Sequence, residues 1–229
     1  MLFSLSSVNI VKETSGRDRM TQPRTRNRDD GAGNIEILEM AAQCFMEQGF
    51  AATSIDDVAR RLGATKGRIY HYYSSKTDLF FDVHREGMER LFRAVEPVMA
   101  GPGPAVQRLT AMLHAHAMAM MTNVAFEAVV VQGVHMHRMA ATTPDQRRTL
   151  DALIALRRRF EGLFRQVMEE GIADGSLRAM DVSVGAKAML GAVNWMSVWY
   201  RPLPEETQES RHSLADQIVA TQIEGFRRR

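Results

Sequence analysis

The sequence predicts an all-α protein in which a small N-terminal helix-turn-helix domain precedes a larger helical domain. Three observations support this class. Short helical segments with capping residues and a glycine turn fill residues 35–79. Longer segments of helical periodicity follow, separated by Gly, Pro, Asn or Thr. No alternation of polar and apolar residues is long enough to predict a strand. We expect an arm over residues 1–32, a DNA-binding domain over 33–79 and an effector-binding and dimerisation domain over 80–229.

The arm is rich in Ser, Thr, Arg, Asp and Gly and has no apolar periodicity after its first dozen residues. This composition is typical of a flexible segment. The favoured interpretation is a solvated tail, or a natural translation start at Met20. The alternative is an arm whose arginines reach a minor groove or phosphates next to the DNA-binding domain.

The first part of the helix-turn-helix is predicted over residues 55–62. Its apolar residues recur at i, i+3, i+4 and i+7, which is one stripe on a short helix. Thr53 and Asp56 have the spacing of a capping box, which predicts where the helix begins. Gly63 is placed to end it in a left-handed C-cap.

The second helix is predicted over residues 66–73 and is the expected major-groove reader. Ile69 and Tyr73 share one side and should pack on the preceding helix. The cap, the opposite face and its flanks carry Thr65, Lys66, Gly67, Arg68, Tyr70, His71 and Tyr72. Hydroxyls, an imidazole and cations are the groups that bind phosphates and base edges, and a glycine permits close approach to the duplex. A further cap, Ser75 with Asp78, starts the next helix.

The segment from residue 35 to 79 resembles the DNA-binding domain of the TetR family of bacterial repressors. The matching motifs are Thr53-Ser-Ile-x-Asp-Val-Ala59, Gly63-x-x-Lys-Gly67 and Ile69-Tyr-His-Tyr-Tyr-x-Ser-Lys76-x-x-Leu79. The resemblance implies that the second helix lines the DNA and that Ser54 and Lys76 lie on flanking phosphates. Tyr73 stands where the family usually has Phe, so its hydroxyl needs a partner.

Composition agrees with a regulator that reads one local site. Lys and Arg total 29 against 27 acidic residues, a net charge of +2, which excludes a strongly basic DNA-coating protein. The single cysteine, Cys44, excludes an intrachain disulfide and fits a reducing cytoplasm; we expect it to pack in the core. No run of 18 apolar residues predicts a membrane span, and residues 1–11 do not resemble a signal peptide. We expect a cytoplasmic protein without a membrane partner.

The larger domain is predicted to be helical nearly throughout. The expected segments are 75–99, 104–122, 125–140, 145–172, 181–200 and 206–227. The first of these links the DNA-binding domain to the rest, so a ligand that moves it can tilt the reading helix.

Methionine content suggests an adaptable pocket for a bulky apolar ligand. The chain has 16 methionines, and this side chain fills irregular space and repacks readily. The residues predicted to bind the ligand are Met112, His116, Met120, Met136, Met189, Asn194, Trp195 and Trp199. The alternative is a methionine-rich core, with Trp195 and Trp199 on one helix face in the core or an interface.

The segment from residue 191 to 202 resembles the C-terminal region of TetR regulators that sense acyl-coenzyme A thioesters. It reads Gly191-Ala-Val-Asn-Trp-x-x-x-Trp-Tyr-Arg-Pro202. The resemblance implies an acyl chain among methionines and aromatic rings, with arginines at the mouth for the nucleotide phosphates. Arg157, Arg158 and Arg159 are the candidates, because guanidinium groups pair well with phosphate. A solvated helix face is the alternative.

Four histidines raise the question of a metal site, and the spacing argues against one. His114 with His116, and His135 with His137, lie two residues apart, which places their side chains about 200° apart on a helix. A pair across helices, such as His116 and His135, is the remaining alternative. We predict no metal and no cofactor.

Enzymatic motifs are missing from the sequence. It has no phosphate-binding Gly-rich loop and no Gly-x-Ser-x-Gly turn. We therefore expect a regulator, not an enzyme. The alternatives are a regulator of efflux genes that senses lipophilic drugs, a helical thioester-processing enzyme, and a helical scaffold whose DNA-binding domain has lost its function.

The expected protein is a homodimeric repressor that binds a palindromic double-stranded operator and leaves it when a small apolar effector binds. An acyl-CoA thioester is the candidate effector. Two copies are needed because one short helix contacts too few bases. The last two helices are the predicted dimer interface. Its predicted residues are Gly185, Ala186, Ala188, Gly191, Ala192, Val193, Met196 and Leu214.

Overall fold

The computed structural model describes residues 28–136 and 143–227, with side chains described for 34–133 and 143–227. These residues form helices, and an isolated bridge joins Leu177 to Arg227. This confirms the predicted all-α class. The helices are α1 (Arg28–Ala52), α2 (Ile55–Leu62), α3 (Lys66–Tyr72), α4 (Lys76–Met99), α5 (Ala105–Thr122), α6 (Val124–Met136), α7 (Pro144–Ala173), α8 (Val182–Asn194), α9 (Met196–Trp199) and α10 (Gln208–Phe226).

The predicted arm lies mostly outside the described residues, which begin at residue 28. Helix α1 starts at Arg28, inside the segment that composition had assigned to the arm. The boundary predicted at residues 79/80 falls inside α4, which continues through it. The three-region division therefore stays a prediction.

The N-terminal domain packs around aromatic and branched residues from α1 to α4. Phe45, Val58, Ile69 and Leu79 are fully buried there. Tyr73 is buried as well, and its hydroxyl donates to Oδ1 of Asn34 at 2.5 Å. The phenol at this position therefore has the partner that it needs.

The start of α2 differs from the prediction by one residue. Ser54, not Thr53, is the N-cap: its Oγ accepts from the Asp57 N–H, and the Asp57 carboxylate accepts from the Ser54 N–H at 2.9 Å. Thr53 is buried instead, with its hydroxyl 2.8 Å from the Gly49 carbonyl oxygen. Both residues have hydroxyls and acids three positions on, so spacing alone could not separate them.

The other predicted caps agree better. Gly63 adopts the left-handed conformation with φ of 65°. Ser75 caps α4 by accepting from the Asp78 N–H at 3.1 Å. Thr65 stands at the N-cap of α3, but its side chain makes no capping hydrogen bond.

The larger domain has its own core, to which α4, α5, α7, α8 and α10 contribute. Leu109, Met112, Phe164 and Met189 are fully buried in it. Helix α4 belongs to both domains, and α6 packs against both α1 and α4. The two domains are thus joined by one continuous helix and by a second contact through α6.

The predicted helix over residues 181–200 is broken in the structure. Helix α8 ends at Asn194, and the four-residue α9 begins at Met196. The segment predicted over 125–140 is helical from Val124 to Met136, and its remainder lies outside the described residues. Among the helices of the described part, none is long and apolar enough to cross a membrane.

Candidate DNA-binding face and effector cavity

The outer face of α3 is polar and open to solvent. Ile69 lies underneath with no exposed surface, while Tyr70 is 50% exposed and His71 is exposed beside it. Tyr72 is half-buried, and its ring lies edge-on to the His71 imidazole. A helix of only seven residues has little stability of its own, so packing of its buried side holds this face in place.

Two cations of this face make solvent-exposed ion pairs. Lys66 Nζ lies 2.7 Å from Oδ2 of Asp56, and the hydrogen bond to this carboxylate raises the pKa of Lys66. Arg68 Nη2 lies 2.7 Å from Oε2 of Glu36. Exposed pairs are weak because water screens them, so a DNA phosphate can replace either carboxylate.

Gly67 is not explained by packing inside the protein. A Cβ built there would find Thr65 Oγ1 at 3.8 Å as its nearest neighbour, which is ordinary contact. The residue is helical, so no positive φ requires glycine either. Glycine destabilises a helix, and the open space around Gly67 leaves room for a close approach from outside.

The two residues predicted to contact phosphates, Ser54 and Lys76, make hydrogen bonds within the DNA-binding domain. The Ser54 hydroxyl donates to Oδ2 of Asp57 at 2.6 Å, although the residue is exposed. Lys76 Nζ donates to the carbonyls of Phe50 and Thr53 at 2.7 Å and of Ala51 at 3.2 Å. The three ammonium protons thus satisfy the carbonyl oxygens at the end of α1. This arrangement differs from the expectation that Lys76 binds phosphate.

A cavity of about 330 Å³ lies between α4, α6, α7 and α8. Its walls combine apolar side chains with a polar rim. The lining residues are Met88, Leu91, Val130, Ile154, Arg157, Arg158, Phe160, Glu161, Lys187, Leu190, Gly191 and Asn194. Burial lowers the pKa of Arg157 from its ordinary value.

Of the predicted ligand residues, Asn194 lines this cavity. Met112, Met120 and Met189 are buried in the core of the larger domain and do not line it. Trp195 and Trp199 are 62% and 46% exposed. Met136 belongs to α6, but its side chain lies outside the described part.

His116 is fully buried behind the cavity wall. Its ring lies 5.3 Å from that of Phe160, which lines the cavity. Neither ring nitrogen has a hydrogen bond of normal geometry to the described residues. Burial lowers the pKa of His116 to about 4, although the Asn194 side chain lies near enough to oppose the shift. The imidazole is therefore neutral at physiological pH.

Sequence reasoning missed most of the cavity wall. Met88, Leu91, Val130 and Ile154 come from three helices, and none of them was among the predicted ligand residues. Arg157 and Arg158, named as candidates for phosphate binding, do lie at this cavity. Arg159 instead pairs with Glu96 at 2.6 Å and covers the Phe92 ring.

The histidines whose side chains are described do not converge on a metal. His114 Nε2 lies 3.3 Å from Nδ1 of His212, on helix α10. In the part that the structure describes, no group of three His, Cys, Asp or Glu side chains is arranged to hold an ion. The side chains of His135 and His137 lie outside that part.

The predicted dimer interface divides into a buried and an exposed set. Gly185, Ala186, Val193 and Met196 are buried within the protomer, and a Cβ at Gly185 would lie 2.7 Å from Met168 Cε. They cannot contact a second copy, which corrects the prediction for them. Leu214 is half-buried against the same core, and Ala192 is half-buried on α8.

An exposed stripe of small and apolar residues remains on α8. Val184, Ala188, Gly191 and Trp195 follow at i, i+4, i+7 and i+11, so they share one face. Val184 is 64% exposed, and the space around a Cβ at Gly191 is empty within 4 Å. This face can approach another helix closely.

A solvent-facing reading helix on a helix-turn-helix domain, coupled by α4 to a helical domain with a cavity, defines a DNA-binding regulator that carries its own sensor. The chain belongs to the TetR family. The model of bacterial regulatory proteins of the tetR family matches residues 37–83. The model of the tetracyclin repressor-like C-terminal domain matches residues 102–226.

Similar proteins are transcriptional regulators. The transcriptional repressor KstR2 of Mycolicibacterium smegmatis is 27% identical over 193 residues, covering 81% of this chain and 84% of the relative. The structure of the ketosteroid transcriptional regulator KstR2 of Mycobacterium tuberculosis has a TM-score of 0.72 at 21% identity, covering 90% of this chain and 98% of that one. AibR in complex with isovaleryl coenzyme A and operator DNA has a TM-score of 0.68 at 23% identity, covering 82% and 97%. At these identities, the similarity to the KstR2 and AibR structures supports the assignment of the fold and nothing further.

Proposed function

We propose that this regulator is a homodimeric repressor that reads a palindromic operator with α3 and is released by an acyl-coenzyme A thioester. The observation that carries the DNA-reading part is the outer face of α3. Lys66, Tyr70 and His71 are exposed on it, while Ile69 locks the opposite side into the domain. Cations, a phenol and an imidazole beside an open glycine suit phosphates and base edges.

Two copies are needed to bind DNA tightly. One seven-residue helix contacts few base pairs, and half-sites one helical turn apart require a two-fold related second helix. The exposed α8 stripe of Val184, Ala188, Gly191 and Trp195 is the proposed interface. Small residues at its centre allow two α8 helices to pack closely.

The composition of the cavity supports an acyl-CoA effector. Apolar walls suit an acyl chain, and Arg157, Arg158 and Lys187 at the rim suit phosphates. AibR, which shares the fold, has been solved with isovaleryl coenzyme A, which is in line with this class.

Release follows from the position of α4. This helix supplies Met88 and Leu91 to the cavity and, at its other end, Lys76 to the end of α1. A ligand that binds best when α4 is displaced moves both reading helices away from the spacing that the operator requires. Operator affinity then falls tenfold for each 1.4 kcal/mol or so of differential binding.

The test uses a duplex selected by the wild-type protein from a random pool. His71→Ala should weaken binding by about 1–3 kcal/mol at fixed salt, with an unchanged thermal midpoint. Arg165→Ala, at an exposed position of α7, is the matched control. Equal affinity of the His71→Ala and wild-type proteins would remove α3 from the interface.

The effector is tested on the same complex. Long-chain and polycyclic acyl-CoA thioesters should release the protein from the duplex. The double variant Arg157→Gln/Arg158→Gln should require higher thioester concentrations for the same release. Release by lipophilic drugs but not by thioesters would favour an efflux regulator. Hydrolysis of the thioesters by the protein would favour an enzyme.

A further inference from the structure

We propose a second ligand site, outside the effector cavity, for an anionic amphiphile with an alkyl chain and a carboxylate. It is the groove between α1, α6 and the α9 region, with a volume of about 540 Å³. That volume is larger than the effector cavity and lies within the usual range for small-molecule sites. We call it the junction groove, because α1 belongs to the DNA-binding domain and α9 to the larger domain.

The walls of the junction groove are mainly apolar. Helix α6 contributes Val124, Ala128 and Val131, which lie at i, i+4 and i+7 on one half-buried face. Met46 of α1 faces the groove from one side, and Val198 of α9, 46% exposed, from the other. An alkyl chain in the groove would remove all five side chains from water, which is favourable.

The charge at the groove selects an anion. The Arg201 guanidinium lines it, donates to the Tyr200 carbonyl at 2.7 Å and makes no ion pair with any residue of the described part. The acid at the groove, Glu47, accepts hydrogen bonds from both terminal nitrogens of the Arg61 guanidinium, at 2.5 and 2.7 Å. The cation is thus left for a ligand while the carboxylate is already neutralised. A carboxylate can accept a charge-assisted hydrogen bond from Arg201.

Occupancy of the junction groove couples to the position of the DNA-binding domain. Gln132, which also lines the groove, donates to the Phe45 carbonyl of α1 at 3.0 Å and holds α6 against that helix. A molecule that contacts α1 and α9 together binds best when the two domains keep this arrangement. By linkage, it shifts operator affinity without entering the effector cavity.

The experiment is a calorimetric titration of the full chain with sodium laurate below its micelle concentration. We expect saturable binding, with dodecanol and dodecyltrimethylammonium weaker by about tenfold because neither has a negative charge for a charge-assisted hydrogen bond from Arg201. Arg201→Gln should weaken laurate by about the same factor. Arg165→Gln, the matched removal of an exposed guanidinium on α7, should leave laurate binding unchanged. Trp195 immediately precedes α9 and Trp199 is its last residue, so the two tryptophans give a fluorescence readout of the same event.

Groove-filling variants separate the two sites. Ala128→Phe should abolish laurate binding while acyl-CoA still releases the operator. Val131→Gln, which places a polar side chain in the same wall, serves if the larger substitution unfolds the protein. The proposal is overturned if laurate binds both variants as it binds wild type, or if Val130→Trp in the effector cavity abolishes laurate binding instead. Neither result bears on the reading helix or on the acyl-CoA effector.

Discussion

Gly67 is the residue whose identity the interior of the protein explains least. It lies in a short helix with room for a methyl group, and glycine costs helix stability. Because the fold does not require glycine here, a contact outside the protein can account for it, and the duplex is the surface that α3 faces in our proposal.

The first prediction concerns this glycine. Gly67→Ala should raise the free energy of unfolding by up to about 1 kcal/mol, because alanine favours the helix. The same methyl group should weaken operator binding, because it separates the helix from the DNA. Urea unfolding and fluorescence anisotropy measure the two effects. A more stable variant with undiminished affinity would contradict the close approach.

The second prediction concerns His116 and pH. The pKa of this buried imidazole is about 4 in the folded protein against 6.5 for the ordinary side chain. The unfolded chain therefore takes up the proton first as pH falls, so stability decreases between about pH 6.5 and 4, by up to about 3 kcal/mol. His116→Phe should lack this loss.

The difference in the free energy of unfolding between wild type and His116→Phe, taken at each pH, isolates the contribution of the histidine. Burial raises the pKa of Glu127 well above its usual range. The contribution of Glu127 to the free energy of unfolding therefore falls as pH rises, which is opposite to the effect of His116. Glu127 is present in both proteins, so its contribution cancels in the difference. Parallel pH profiles from urea unfolding would show that His116 does not carry the acid sensitivity.

At the scale of elements, the junction of α1 and α4 matters most. Lys76 begins α4 and satisfies the carbonyls at the end of α1, and its ammonium lies 4.5 Å from the centre of the Phe50 ring. Helix α4 is therefore fastened to the DNA-binding domain where it starts. In our proposal, movement of α4 at the cavity reaches that domain through this contact.

The third prediction tests that role. Lys76→Met should lower the free energy of unfolding by about 1 kcal/mol, because three part-buried or exposed carbonyls lose a charged donor. Binding to the operator should weaken only in proportion to the loss of folded protein. Thermal unfolding and a salt titration of DNA binding measure both. A fully stable variant with a shallower salt dependence would restore the phosphate contact that the sequence had suggested.

At the scale of the molecule, our proposal makes the exposed α8 stripe the surface that brings two reading helices together. The fourth prediction is that Ala188→Arg yields a monomer, because a long cation at the centre of the stripe prevents close packing of two helices. Sedimentation at micromolar concentration measures the mass, and Arg165→Ala is the control. Helix content should stay unchanged, and operator binding should be lost. A dimeric variant would place the interface elsewhere.

Some local features of the chain were predicted correctly from the sequence, and others close to them were not. The C-cap at Gly63 and the buried side of α3 at Ile69 were predicted because both depend on residues a few positions apart. The N-cap of α2 was misplaced by one residue because Thr53 and Ser54 offer the same group at the same spacing. The break at Trp195 was missed because neither Gly nor Pro stands at it to mark the end of a helix.

Local order in the sequence thus determined the class of the fold, the position of the reading helix and the polar character of its outer face. Caps, turns and helical periodicity act over four or five residues, so they can be read without the fold. Only the tertiary structure decided that Lys76 serves the end of α1, that Arg157 reaches the cavity while Arg159 does not, and that α1, α6 and α9 enclose a groove. These features depend on side chains brought together from distant positions, and such proximity arises from the packing of whole helices.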